Sequence, residues 1–209
     1  MPAALLLGLL GLGMGLGMGL GMGADSGLGP ARAEEPPRSA AELMDVLMWN
    51  REPVGGPFAL VDQHGRPRTE ADFRGKLVIL TFGYTGCPDV CPTDLMEIAR
   101  ALTLLGEAGE AIQPVFITLD PTRDTAALLA EFVPSFHPRL IGLTGSEAAI
   151  RRAADAYKVF YRRAEGADAI EHSAFVYLLD RSGAYLGFFP PGTSAERMLT
   201  IIRPHLGAR

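Results

Sequence analysis

The most ordered hydrophobic pattern in the chain is a continuous apolar run, KLVILTFGY at 76–84, set between Gly75 and the Thr85–Gly86 pair. Its length and its Val and Ile content predict a central strand buried on both faces. Beyond it, Leu95, Ile98, Ala99, Leu102 and Leu105 recur at helical spacing, which predicts a helix over 92–105 opened by Pro92. AIQPVFITLD at 111–120 reads as a second core strand. Proline cannot donate to a ladder, so the strand proper is placed at 114–119, with Pro114 at its start or on an edge. DPTRDT at 120–125 is a turn into a helix near 125–133, and LIGLTG at 140–145 is a short strand. Ser146 caps a helix running to about 157. HSAFVYLLD at 172–180 and AYLGFF at 184–189 flank Arg181, Ser182 and Gly183, the pattern of a β-hairpin. A closing helix starts near 194.

On the N-terminal side, a strand is expected at 58–62, followed by a turn carried by Asp62, Gly65 and Pro67. A short helix over 39–49 has Leu43, Val46 and Leu47 as its apolar stripe, extended by Met44, with Trp49 anchoring this arm on the domain. The order strand, helix, strand, helix, strand, strand, helix predicts an α/β fold with a central mixed β-sheet flanked by helices. A thioredoxin-like fold has this order and sets its cysteines after a core strand, at a helix N-terminus.

The 209 residues suffice for one domain and an extension. Residues 1–24 contain no charged side chain and would reach roughly 36 Å as a helix, enough to cross a hydrocarbon core of about 30 Å. Residues 1–33 are therefore expected to be an N-terminal hydrophobic segment, either a signal peptide cleaved after the Ala31-Arg32-Ala33 triplet or a membrane anchor. Its Gly11/Gly15/Gly19/Gly23 and Met14/Met18/Met22 rows are read as a low-complexity apolar repeat. Residues 34–54 are read as a linker and 55–209 as the folded domain. A net charge of −5 with no long basic run leaves no nucleic-acid footprint.

The chain has two cysteines, Cys87 and Cys91, four positions apart and each followed by proline. They lie where the core strand meets a helix start. There the free N–H groups and the helix dipole favour thiolates. One helical turn separates them, so they can close a disulfide or converge on one metal. Two thiolates suit Cu(I) but leave an incomplete site for Cu(II), for which an imidazole is a sensible third ligand, so Cu(I), Cu(II) or both are expected; a two-cysteine, one-histidine zinc site also remains open. Of the four histidines, His64 and His205 read as solvent-facing and His137 as structural. His172 precedes a core-like strand, in a loop that a thioredoxin-like fold brings beside the cysteines, and is the candidate ligand. Asp89, Asp120 and Asp124 are candidates for a supporting acidic rim that orients His172, holds the cysteine loop or faces a partner. Asp120 also suits a turn cap and Asp124 a helix N-cap.

The strings GGPFALVD at 55–62, DFRGK at 72–76, FGYTGCPDVCPTDL at 82–95, VFITLDPTRDT at 115–125, IGLTG at 141–145 and HSAFVYLLD at 172–180 resemble the Sco/SenC family. These are copper-handling, thioredoxin-like proteins of cytochrome c oxidase assembly. The resemblance implies a copper ion held by Cys87, Cys91 and His172, with Asp120 supporting the site. It implies a metallochaperone that delivers copper to the dinuclear centre of oxidase subunit II, or a thiol–disulfide oxidoreductase that keeps the acceptor cysteines reduced. It further implies a copper donor protein and a monomeric domain on the periplasmic side of the inner membrane, anchored or released by cleavage.

Overall fold

A computed structural model describes residues 40–49, 51–88, 90–163 and 168–207. In chain order the elements are α1 (Ala40–Trp49), β1 (Ala59–Asp62), β2 (Pro67–Thr69), β3 (Leu77–Gly83), α2 (Val90–Leu105), β4 (Ile112–Thr118), α3 (Ala126–Phe132), β5 (Ile141–Thr144), α4 (Glu147–Ala156), β6 (Tyr161–Arg163), β7 (Ile170–His172), β8 (Val176–Leu179), β9 (Tyr185–Phe189) and α5 (Ala195–Leu206). The main sheet runs β2-β1-β5-β4-β3-β8-β9. It is mixed: β3, β4 and β5 are parallel neighbours, while β1, β8 and β9 run antiparallel to theirs.

Every residue of β3 is buried, as its unbroken apolar run requires. The two-residue period then divides its side chains. Val78, Leu80 and Phe82 face a core closed by α1 and α4, through Leu43, Val46, Leu47, Ile150 and Ala153. Leu77 and Ile79 face a second core closed by α2, α3 and α5, through Leu95, Ile98, Leu102, Leu129, Met198 and Ile202. This is the expected α/β sandwich, with helices on both faces.

Several local expectations are corrected. β4 begins two residues before Pro114 and places it inside a central strand, opposite Ile79 of β3. The proline is tolerated because pairing with β5 begins only at Val115, so β4 has a single neighbour where the N–H is missing. Helix α2 starts at Val90, and the alanine it buries fully is Ala101 rather than Ala99. The helix after the DPTRDT turn is capped by Thr125, whose side chain accepts from Leu128 N–H, and not by Asp124. Trp49 does not anchor the arm: it is 67% exposed, and α1 is held instead by Leu43, Val46 and Leu47. The helix expected over 39–49 is present as α1 and packs onto the core. The strand expected over 172–180 is two strands, because His172 ends β7, which pairs with β6 in a separate two-stranded sheet. The N-terminal hydrophobic segment lies outside the described residues. Among the described residues no helix is long and apolar enough to cross a membrane.

Candidate metal centre

The centre is assembled where β3 ends. Gly83 is needed there because a Cβ would stand 2.7 Å from Cys91 Sγ and 3.0 Å from the Phe116 ring. The chain then turns, and the Cys87 N–H donates to the Tyr84 carbonyl at 3.1 Å. Cys87 is half-buried at the mouth, while Cys91 is buried in the first turn of α2; both are free thiols. Alanine at Gly83 is expected to displace Cys91 and weaken any ligand bound there. Thiol reactivity and ligand affinity of Gly83→Ala, compared with the parent, check this.

His172 reaches the same point from β7, with Nε2 3.7 Å from Cys91 Sγ. Its Nδ1 lies 3.1 Å from the Ile170 carbonyl, which can only accept. Nδ1 therefore carries the proton, and Nε2 turns a lone pair toward the sulfur. The Tyr84 ring packs edge-on to the imidazole, 5.9 Å between centroids. Burial lowers the pKa of His172, against a smaller opposing effect of its bond to Ile170, so the ring is neutral near pH 7. Burial above all, and then the adjacent Cys87 thiol, push the Cys91 thiol far above its usual range, and the Asp94 charge adds to this. The site is thus a protonated buried thiol facing a neutral imidazole lone pair, with a second thiol beside it. Two soft sulfur donors and one imidazole fit Cu(I) and disfavour the hard oxygen-seeking ions. Among the described residues no three His, Cys, Asp or Glu side chains stand, as placed, where together they could hold a metal ion.

The aspartates play different parts. Asp124, 1% exposed, accepts from Thr85 N–H at 2.9 Å, Thr85 Oγ1 at 2.5 Å and Thr118 Oγ1 at 2.5 Å, and so staples the cysteine loop to β4. Asp120 receives Arg163 at 2.7 Å, Arg123 at 2.5 Å and Thr122 Oγ1 at 3.0 Å. Arg163 belongs to β6, and Arg123 also donates to the Asp168 carboxylate and carbonyl, just ahead of β7. Asp120 is therefore the latch of the hairpin that carries His172, and does not itself bond the imidazole. Asp89 lies outside the described residues. Asp94 gave no signal as a site residue; it is buried on α2 and receives Gly192 N–H at 2.8 Å, tying α2 to the turn before α5. Tyr84, Thr85, Arg123 and Arg163 also complete the site, and the β6 arginine had no local pattern to reveal it. The other histidines stay apart: His64 is exposed, His137 accepts from Arg139 N–H, and His205 lies in the last turn of α5.

Burial works against ionising Asp120, but its bonds from Arg163, Arg123 and Thr122 outweigh this and hold its carboxyl below the usual value. Its stabilising effect is complete above the unfolded value of roughly 4 and fades as pH falls through the lowered one. Asp120→Ala is expected to cost about 2 kcal/mol, less than the ~3–5 kcal/mol of a fully buried pair, because the released guanidiniums can reach water. Amide exchange should quicken at 161–163 and 170–172 while β3 stays protected. Unchanged exchange there would show that the hairpin is held by other contacts.

A dithiol with one buried and one half-buried sulfur at a helix start, faced by an imidazole on a thioredoxin-like sheet, defines a thioredoxin-like protein with a candidate Cys–Cys–His centre. The chain belongs to the SCO1/SenC family, whose sequence model matches residues 48–207. An SCO2-like protein of Rickettsia conorii is 41% identical over 155 residues, covering 72% of this chain and 76% of that one. The mitochondrial SCO2 homolog of Mus musculus is 40% identical over 185 residues, covering 85% of this chain and 72% of that one. Among solved structures, Bradyrhizobium japonicum ScoI with copper bound superposes with a TM-score of 0.67 at 36% identity, covering 73% of this chain and 99% of that one. Yeast Sco1 with copper bound gives a TM-score of 0.68 at 35% identity, covering 76% and 91%.

Proposed function

We propose that this protein is a copper metallochaperone. Copper is its cargo, held by Cys87, Cys91 and His172 and handed by ligand exchange to the dinuclear centre of cytochrome c oxidase subunit II or a like acceptor, after loading from a donor protein. The observation that carries this reading is the His172 Nε2 lone pair set 3.7 Å from Cys91 Sγ. An imidazole fixed in that tautomer against a thiol is a pair of donors awaiting a soft cation. Cys87, at the mouth, is the third donor and the first to exchange. The copper-bound ScoI and Sco1 structures support the same cargo. The domain works outside the cytosol, on the periplasmic side of the inner membrane, with residues 1–33 as signal or anchor. Asp89, by its place in the sequence between the cysteines, is assigned to meeting a partner.

The competing role, thiol–disulfide exchange with an acceptor, has the two free cysteines in its favour. It is weakened by Cys91, whose thiol is pushed up so far that little attacking thiolate exists near pH 7. Only Cys87 is placed to attack.

Titration of the reduced chain with Cu(I) against a competing chelator tests the proposal. One tight equivalent, weakened in His172→Ala, is expected; rapid disulfide exchange without tight copper binding would replace this reading with the reductase. The pH dependence has a definite sign. Binding must expel the Cys91 proton, and the thiol pKa lies above the working range, so apparent affinity should climb through neutral pH, about tenfold per unit for each proton released. His172 is already neutral there and adds no proton competition. Affinity flat between pH 6 and pH 8 would exclude a thiolate ligand at Cys91.

A further inference from the structure

We propose that the apolar edge formed by the end of α1 and by β9 rests on the surface of a lipid bilayer, on the reading that residues 1–33 direct this chain to a membrane. Met48 is 59% exposed, Trp49 67% and Leu186 39%. Met48 and Leu186 line one open cleft of about 260 Å³ with Leu47, Tyr185 and Phe188. The Tyr185 hydroxyl donates to the Leu47 carbonyl at 3.0 Å, which ties the end of α1 to β9. β9 is also the last strand of the sheet on that side.

The sequence ahead of α1 names the occupant. Residues 1–24 have no charged side chain, and only residues 25–39 separate them from α1. Those fifteen residues span at most about 50 Å. A domain on so short a tether has the bilayer as its constant neighbour, and the first helix after the tether is the one that carries the exposed Met48 and Trp49, at its far end. Indole rings favour the headgroup level of a bilayer, where one side of the ring is apolar and the other wet. Glu42 and Asp45 lie on the same helix, so anionic lipid gains nothing and a zwitterionic surface is expected.

The sheet gives this contact a consequence for the metal centre. Leu179 pairs with both Tyr185 and Val78, at the end of β3 opposite Gly83 and the cysteine loop. Five strand steps of ~3.3 Å, roughly 17 Å along β3, separate Val78 from Gly83, and no residue of the cysteine loop lines the cleft, so lipid on this edge leaves the thiols uncovered.

Trp49 is the only tryptophan of the chain and reports directly. The full chain is mixed with phosphatidylcholine vesicles and floated, and its emission is read with and without lipid brominated high in the acyl chain, and with aqueous iodide. Flotation, a shift to shorter wavelength, quenching by the brominated lipid and shielding from iodide are expected. Met48→Ser and Leu186→Ser, both at exposed positions that leave the core intact, should still float but lose most of the shift and the quenching. A chain that floats while Trp49 stays open to iodide overturns the docking edge and leaves the membrane-directed segment standing. A chain that does not float overturns both. Trp49 shielded from iodide yet untouched by brominated lipid places protein on the edge, a second copy or another partner, and likewise overturns the proposal.

Discussion

Serine at Cys91 is expected to remove tight copper binding altogether, a larger loss than His172→Ala produces. The side chain is buried in the first turn of α2, beneath Gly83 and against His172 Nε2, so no other sulfur can take its place. A hydroxyl is a hard, weakly acidic donor that stays protonated where a thiol yields its proton to a soft metal. Losing a group that merely supports a ligand costs 10–100-fold in affinity, so losing this ligand should cost on the order of a hundredfold or more. Serine is close in size to cysteine, and far-ultraviolet circular dichroism should be unchanged. Competitive Cu(I) titration gives the answer: a Cys91→Ser protein that keeps the affinity and the single equivalent of the parent would end the metallochaperone reading.

Asp124→Ala should have the largest effect on folding. The carboxylate is 1% exposed and accepts three hydrogen bonds, from the Thr85 backbone, the Thr85 hydroxyl and the Thr118 hydroxyl. Alanine leaves these donors buried without acceptors, at about 1–3 kcal/mol for each that finds no water. Thr85 is half-buried and regains some solvation, so the expected total is about 3 kcal/mol. That corresponds to a fall of roughly 6–12 °C in Tm for a domain of this size. Urea unfolding measures the first figure and calorimetry the second. The loop tied down by Thr85 leads straight into Cys87, so the variant should also bind copper more weakly even well below its Tm. Stability within about 0.5 kcal/mol of the parent, the range of ordinary surface changes, would show that the staple is not needed.

These two residues were not equally visible in the sequence. Cys91 stands out through its spacing from Cys87 and its place between an apolar run and a helical pattern. Asp124 is one of several acidic residues near a turn, and its local reading as an N-cap is defeated by Thr125, which takes that role and leaves the carboxylate to turn inward. Trp49 misled for the converse reason: aromatic character predicts burial on average, while its position at the end of α1 leaves it outside the stripe of Leu43, Val46 and Leu47.

What the sequence determines by itself is whatever has a local period or a local stop. The buried β3, most of the buried face of α2, the Ser146 cap and the β8–β9 hairpin all follow from neighbours a few residues apart. The cysteine pair belongs to this class as well. No local pattern says which histidine meets the cysteines, because Cys91 and His172 lie 81 positions apart and no periodicity spans that interval; His172 is singled out only through the expected fold and the family resemblance, and the tertiary structure brings the two together. The same holds for the Thr85–Asp124 staple and for the Asp120–Arg163 latch that steadies the His172 hairpin. Such contacts depend on how the sheet orders its strands, and strand order is set by burying two faces at once, a property of the whole chain and of no segment in it.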